Sequence, residues 1–266
     1  MPTRDEAWPQ GTPCWIDCQV DDTTAARAFY SELFGWDIPD DPVDPSGYLI
    51  ARLHGRPAAA VGPKPVGLHM PSVWTTYFAV DSADEIAARI TAAGGQVIVA
   101  PFDVADAGRM AVAADLTGGV FGLWQTAAHH GAAVFDEPGS YCWNELHTPG
   151  FQQARAFYSE VFGWHYTDIA DTPEFTYATF ALPGRSREVG GMMDAAALGA
   201  PPAWLAWIQV EDTDGVLATA TELGATVLTG PGDSPFGRGA VVQGPQGEVF
   251  GVIDPAKAVG EVPTGI

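Results

Sequence analysis

The chain has 266 residues, is 47% hydrophobic and carries a formal net charge of −21 at pH 7. That charge argues against nucleic acid, whose phosphates need Lys and Arg partners, and only two lysines, Lys64 and Lys257, are present. No run approaches the roughly 18 apolar residues of a membrane helix, and the three cysteines, Cys14, Cys18 and Cys142, form no CxxC pair and no closed disulfide set.

The opening MPTRDEAWPQG is too polar for a secretory signal, so a soluble, cytoplasmic protein is expected. CWIDCQV at 14–20 then alternates, with Trp15, Asp17 and Gln19 on one face and Cys14, Ile16, Cys18 and Val20 on the other, the pattern of a half-buried strand. Asp21 and Asp22 can cap a helix in which Ala25, Ala26, Phe29, Tyr30 and Leu33 recur at helical spacing, and Gly35 is placed to stop it in the left-handed conformation. GYLIARLHGRPAAAVG reads as two strands about a Gly turn. The pattern then restarts: WTTYFAV is a strand, SADEIAARITAAGG a capped helix, and RMAVAAD and GVFGLWQ are strands.

After AAHHGAAVFDEPG, a linker by its small residues and Pro138–Gly139, the same order returns. ARAFYSELFGW at 26–36 comes back as ARAFYSEVFGW at 154–164, and Cys14/Cys142, Trp15/Trp143 and Gly35/Gly163 all stand 128 residues apart. Later landmarks drift to offsets of 129 and 130, as expected when identical elements are joined by loops of slightly different length. The predicted organisation is a first domain over 1–128, a linker over 129–139, a second domain over 140–257 and a tail over 258–266. Each domain is β-α-β-β-β done twice, an α+β fold of curved mixed sheets with helices outside.

These elements resemble the vicinal oxygen chelate superfamily of glyoxalases, bleomycin-resistance proteins and extradiol dioxygenases. The likeness rests on the strand–Asp–helix–FYSELFGW run, on FAVDSADEI and on DLTGGVFGLWQ, with FYSEVFGW, QVEDTDGV and GPQGEVFGVID as counterparts. Metal-binding members use a His, Gln or Glu on the first strand, a His on the fifth and a Glu ending the eighth. The resemblance places those seats at Trp15, Thr75 and Gln125 in the first copy and at Trp143, Leu205 and Asp254 in the second. Indole and leucine offer no lone pair, and Thr and Gln are poor ligands. No cofactor is therefore expected, and a divalent metal is not supported by the ligand positions. The histidines elsewhere (His54, His69, His129, His130, His165) show no metal spacing and read as solvated loop residues.

Alternation sets Asp17 beside Trp15, and Glu145 and His147 beside Trp143. Burial against indole raises a carboxyl's pKa, so Glu145 and Asp17 are candidate general bases, with His147 completing an acid/base pair. The competing reading is a structural carboxylate bonded to Arg109 or Arg238; it is preferred for Asp17 and stands level for Glu145. Arg109 and Arg238 are alternatively ligand clamps. Tyr77 and Trp207, with Trp15, Trp143, Thr75, Gln125 and Asp254, are candidate ligand-contact residues. Phe121 and Phe250 are further aromatics on expected cavity faces.

The expected function is metal-independent lyase or isomerase chemistry on a carbonyl-containing or aromatic small molecule. The alternative is a non-catalytic protein that sequesters an antibiotic or metabolite, and a metal-dependent glyoxalase or dioxygenase ranks third. No membrane or nucleic-acid partner is expected, and the oligomeric state is read as monomer or weak homodimer. Cavities formed within a copy or across copies are both open at this level.

Overall fold

The computed structural model describes residues 3–43, 45–67, 70–172 and 175–261; His69 lies outside them. The first copy contributes β1 (Pro13–Val20), α1 (Thr23–Phe34), β2 (Leu49–Leu53), β3 (Arg56–Pro63), β4 (Val73–Ala79), α2 (Ala83–Ala92), β5 (Gln96–Val104), β6 (Gly108–Ala114) and β7 (Val120–Thr126). The second contributes β8 (Tyr141–Thr148), α3 (Phe151–Phe162), β9 (His165–Asp171), β10 (Thr176–Ala181), β11 (Glu188–Asp194), β12 (Ala203–Gln209), α4 (Thr213–Glu222), β13 (Thr226–Ser234), β14 (Gly237–Gln243) and β15 (Val249–Asp254). No helix among the described residues is long and apolar enough to cross a membrane.

Each copy closes its own curved mixed sheet, in the orders β2-β3-β1-β4-β7-β6-β5 and β13-β14-β15-β12-β8-β11-β10-β9. The two units of a copy meet through antiparallel pairs, β1 with β4 and β8 with β12, so candidate sites form within a copy. The first unit is one strand short of β-α-β-β-β. Where the second copy has β9, the first has the isolated bridge Asp37–Arg52, because Pro39, Pro42 and Pro45 crowd this segment and remove ladder donors.

The helices lie outside the curve of each sheet; the helix-bearing faces of the two copies pack on one another, with one side of each helix buried and the other exposed. One apolar core joins Ile16, Phe29 and Phe34 to Ile208, Leu217 and Phe250. The other joins Phe78, Ile86 and Phe121 to Phe157, Phe180 and Trp204. The repeated FYSE segment is the hinge of this arrangement. Tyr30 donates to Oε1 of Glu248 at 2.9 Å and Tyr158 to Oδ2 of Asp115 at 2.9 Å, each across the copies. Trp74 and Trp204 donate in turn to those tyrosine oxygens.

Tyr158→Phe leaves the buried Asp115 oxygen and the Trp204 N–H without that partner. It is expected to cost about 1–3 kcal/mol, read as a lower urea midpoint. An unchanged midpoint would show that the pairing contributes nothing to docking.

Candidate functional site

The face of each sheet turned away from the helices carries the first-strand pattern. In the first copy Trp15 pairs in register with Tyr77, and Asp17 with Thr75, so these four share that face. Tyr48, arriving from the loop before β2, joins them. Its hydroxyl accepts from Trp15 Nε1 at 2.8 Å and donates to Asp17 Oδ2 at 3.1 Å. Tyr77 donates to the same oxygen at 2.9 Å, and Asp17 Oδ1 is buried without a partner among the described residues. Among the described residues no cation touches the pair of oxygens, so burial pushes the Asp17 carboxyl up to about 6, against the pull of the two hydroxyls.

The linker covers this site. Ala132 N–H bonds Cys14 O, Trp124 Nε1 donates to His129 O at 2.8 Å, and the His129 ring stands edge-on to Trp15 with centroids 4.5 Å apart. His129 is thus not a solvated loop residue: burial lowers its pKa to about 4 and keeps it neutral. His54, by contrast, is exposed and pairs with Glu137, His130 bonds Thr126, and His165 is exposed.

The second copy repeats the frame with different chemistry. Trp143 Nε1 donates to Tyr177 OH at 2.8 Å, and Tyr177 donates to Glu145 Oε2 at 2.8 Å. The remaining oxygen, Oε1, lies 2.6 Å from His147 Nε2. Burial pushes the Glu145 carboxyl up, but His147, Tyr177 and the nearby Trp207 together hold it below its ordinary value. The expectation that indole burial would raise Glu145 is therefore reversed. The raised carboxyl is Asp17, which lacks a histidine; Gln19 occupies the place of His147. Trp207 pairs in register with Trp143 and Leu205 with Glu145, and Trp207 Nε1 is buried with no hydrogen bond. Whereas Trp15, Asp17 and Tyr77 are buried, Trp143, His147 and Trp207 are half-buried, so the second copy presents the more open site.

Four candidates lie elsewhere. Arg109 and Gln125 pair with one another across β6 and β7 on the helix-bearing face. There Arg109 forks onto Asp84 and reaches Asp103, and Gln125 accepts from Ala83 N–H at the start of α2. Arg238 binds Asp214 and Asp233 in the same manner, and Asp254 accepts from Ala256 N–H to cap a short turn. Neither arginine clamps a ligand beside Asp17 or Glu145, because each neutralises acids on a helix start and a neighbouring strand. Phe121 and Phe250 likewise belong to the cores between the copies.

The eighth-strand positions that do face the sites are Gly122, in register with Tyr77, and Gly251, in register with Trp207. A Cβ at Gly122 would meet the Tyr77 ring at 2.1 Å, and one at Gly251 the Trp207 ring at 2.3 Å. The seats facing each site are therefore Trp15, Thr75 and Gly122, and Trp143, Leu205 and Gly251. Indole, leucine and glycine side chains supply no ligand atom and the Thr75 hydroxyl only a poor one, and among the described residues no three His, Cys, Asp or Glu side chains could share an ion. A divalent metal of the kind the fold implies does not fit either copy.

Tyr48 and Tyr177 were not among the sequence candidates. Their 129-residue spacing matches the repeat, which is the signal that marks them.

Comparison with known proteins agrees with this architecture. The profile of the Glyoxalase/Bleomycin resistance protein/Dioxygenase superfamily matches residues 14–121 and again 145–252. "Putative glyoxylase CFP32" of Mycobacterium tuberculosis is 41% identical over 261 residues, covering 96% of this chain and 99% of that protein. Anthracycline biosynthesis protein DnrV of Streptomyces peucetius is 35% identical over 275 residues, covering 92% and 93%. Among solved structures, the Mn(II)-bound glyoxalase of Novosphingobium aromaticivorans superposes with a TM-score of 0.62 at 18% identity, covering 97% of this chain and 87% of that one. The 2,2',3-trihydroxybiphenyl 1,2-dioxygenase of Sphingomonas wittichii RW1 gives 0.62 at 18%, covering 92% and 89%; at such identity the likeness is one of fold. With both halves matched and these relatives spanning nearly its whole length, the chain belongs to the Glyoxalase/Bleomycin resistance protein/Dioxygenase superfamily.

Proposed function

We propose that the protein catalyses metal-independent proton transfer on an aromatic carbonyl compound at the second copy's site, with His147 as base and Glu145 as the residue that positions it. The observation carrying this is the 2.6 Å Glu145–His147 contact beneath half-buried indoles. Glu145 has both oxygens engaged and is only 8% exposed, so it orients rather than meets a ligand. An ionised Glu145 accepts a hydrogen bond from Nε2–H and so leaves the Nδ1 lone pair for chemistry. Nδ1 makes no hydrogen bond among the described residues.

A ring system stacked on Trp143 and Trp207, with the exposed Phe175 stacked on Tyr177 at the rim, would bring a proton α to its carbonyl to His147. The proton moves to Nδ1, Glu145 stabilises the imidazolium, and the electron pair passes into the enolate. Return of the proton to another carbon is isomerisation; expulsion of a β-substituent is elimination, the lyase outcome. The relative named for anthracycline biosynthesis supports a fused aromatic ligand bearing carbonyls. The curated relative with a glyoxylase name is consistent with carbonyl chemistry.

Deuterium washout tests this. A panel of aromatic ketones of two to four fused rings in D2O, with chelator-treated protein, is expected to lose α-protons faster than without protein. Saturable quenching of tryptophan fluorescence with no washout from any ketone would replace catalysis by the sequestering reading, which the same indole walls would serve.

A further inference from the structure

We propose that the first copy holds a second ligand site, in which the unpaired oxygen of Asp17 accepts the hydroxyl of an uncharged phenol. The inference is independent of the chemistry assigned to the second copy.

Both tyrosine hydroxyls go to one oxygen, Oδ2, while Oδ1 is buried with no partner in a side chain that is 2% exposed. Such an oxygen costs stability unless something donates to it. Of the groups facing it, Trp15 has given its N–H to Tyr48, Ala60 opposite on β3 has no donor side chain, and neither the Thr75 hydroxyl opposite on β4 nor the His129 ring against Trp15 bonds it. Donor counting selects the ligand. An ammonium brings three N–H groups to a single free acceptor, a carboxylate brings a second negative charge and no donor, and a phenol brings one O–H. The walls of Trp15, Tyr48 and Tyr77 suit its ring.

Entry is past Tyr48, which is half-buried. Its ring lies over Gly62, where a Cβ would approach to 2.9 Å. The glycine thus seats this ring, and entry requires the ring to swing outward.

The test is calorimetric titration of phenol, and of anisole as the ring without the donor, into the whole chain at pH 8. Phenol is expected to bind at least tenfold more tightly than anisole. Trp143→Ala should leave phenol binding unchanged, and Asp17→Asn, which puts an N–H donor where Oδ1 stood, should weaken it at least tenfold. Lowering the pH to 5 should weaken it about tenfold as Asp17 takes a proton. Equal affinity for anisole, unchanged binding by Asp17→Asn, or loss in Trp143→Ala would overturn the proposal. The anisole comparison and the pH series use the unaltered protein and do not depend on the variant folding. None of these three failures would touch the washout test of the second copy.

Discussion

His147→Ala is expected to abolish α-proton washout at the second copy, by about 10²–10⁴-fold, while quenching by the same ketone persists. The indoles that would hold the ring, Trp143 and Trp207, do not depend on the imidazole, so the loss falls on turnover rather than on binding. Glu145→Gln should reproduce most of that loss for a different reason. An amide N–H placed 2.6 Å from Nε2 favours the tautomer that carries its proton on Nδ1, where the lone pair is needed. Washout retained by both would remove the dyad from the chemistry.

Gly251→Glu carries the second large effect. It restores a carboxylate to the eighth strand facing the second site, yet the seat is occupied. The new Cβ would stand 2.3 Å from the Trp207 ring, and the carboxylate would enter a site already holding Glu145. Overpacking costs about 1–3 kcal/mol, and an uncompensated buried charge adds several more. The variant is expected to fold poorly or lose at least about 3 kcal/mol by urea denaturation, and to bind no Mn(II) or Zn(II). A stable variant that takes up one metal ion per chain would show that only the missing glutamate keeps metal out.

Asp17 links the first site to stability. Its folded value, about 6, lies above the ordinary 3.8, so the unfolded chain gives up this proton first. The contribution of the group is fully present below about pH 4 and is lost as pH rises through 6. Asp17→Asn is accordingly expected to match the parent protein near pH 4 and to be more stable by about 3 kcal/mol at pH 8. Equal stability at both pH values would contradict a buried, raised carboxyl.

The repeat, the strand faces and the family were legible in the chain because they rest on local periodicity. Trp15 and Asp17 share a face for the same reason that Trp143, Glu145 and His147 do: side chains alternate. What escaped was non-local. Whether a buried carboxyl rises or falls depends on which side chains reach it, and Tyr48, Tyr77 and Tyr177 come from other strands. Gln125 and Asp254 were placed by counting to the end of a motif; the registers of β7 and β15 turn them toward the helices and bring Gly122 and Gly251 to the sites. Periodicity also identified the packing face of FYSELF without saying what packs there. Its Tyr30 and Tyr158 reach across to acids of the other copy.

On the proposed function, Glu145 fixes His147 as a base with its lone pair on Nδ1. The ¹⁵N spectrum of protein labelled at histidine nitrogens, recorded at pH 8 with His147→Ala for assignment, reads this directly. The expected result is a protonated Nε2 and an unprotonated Nδ1 at His147. A proton on Nδ1 instead would contradict it.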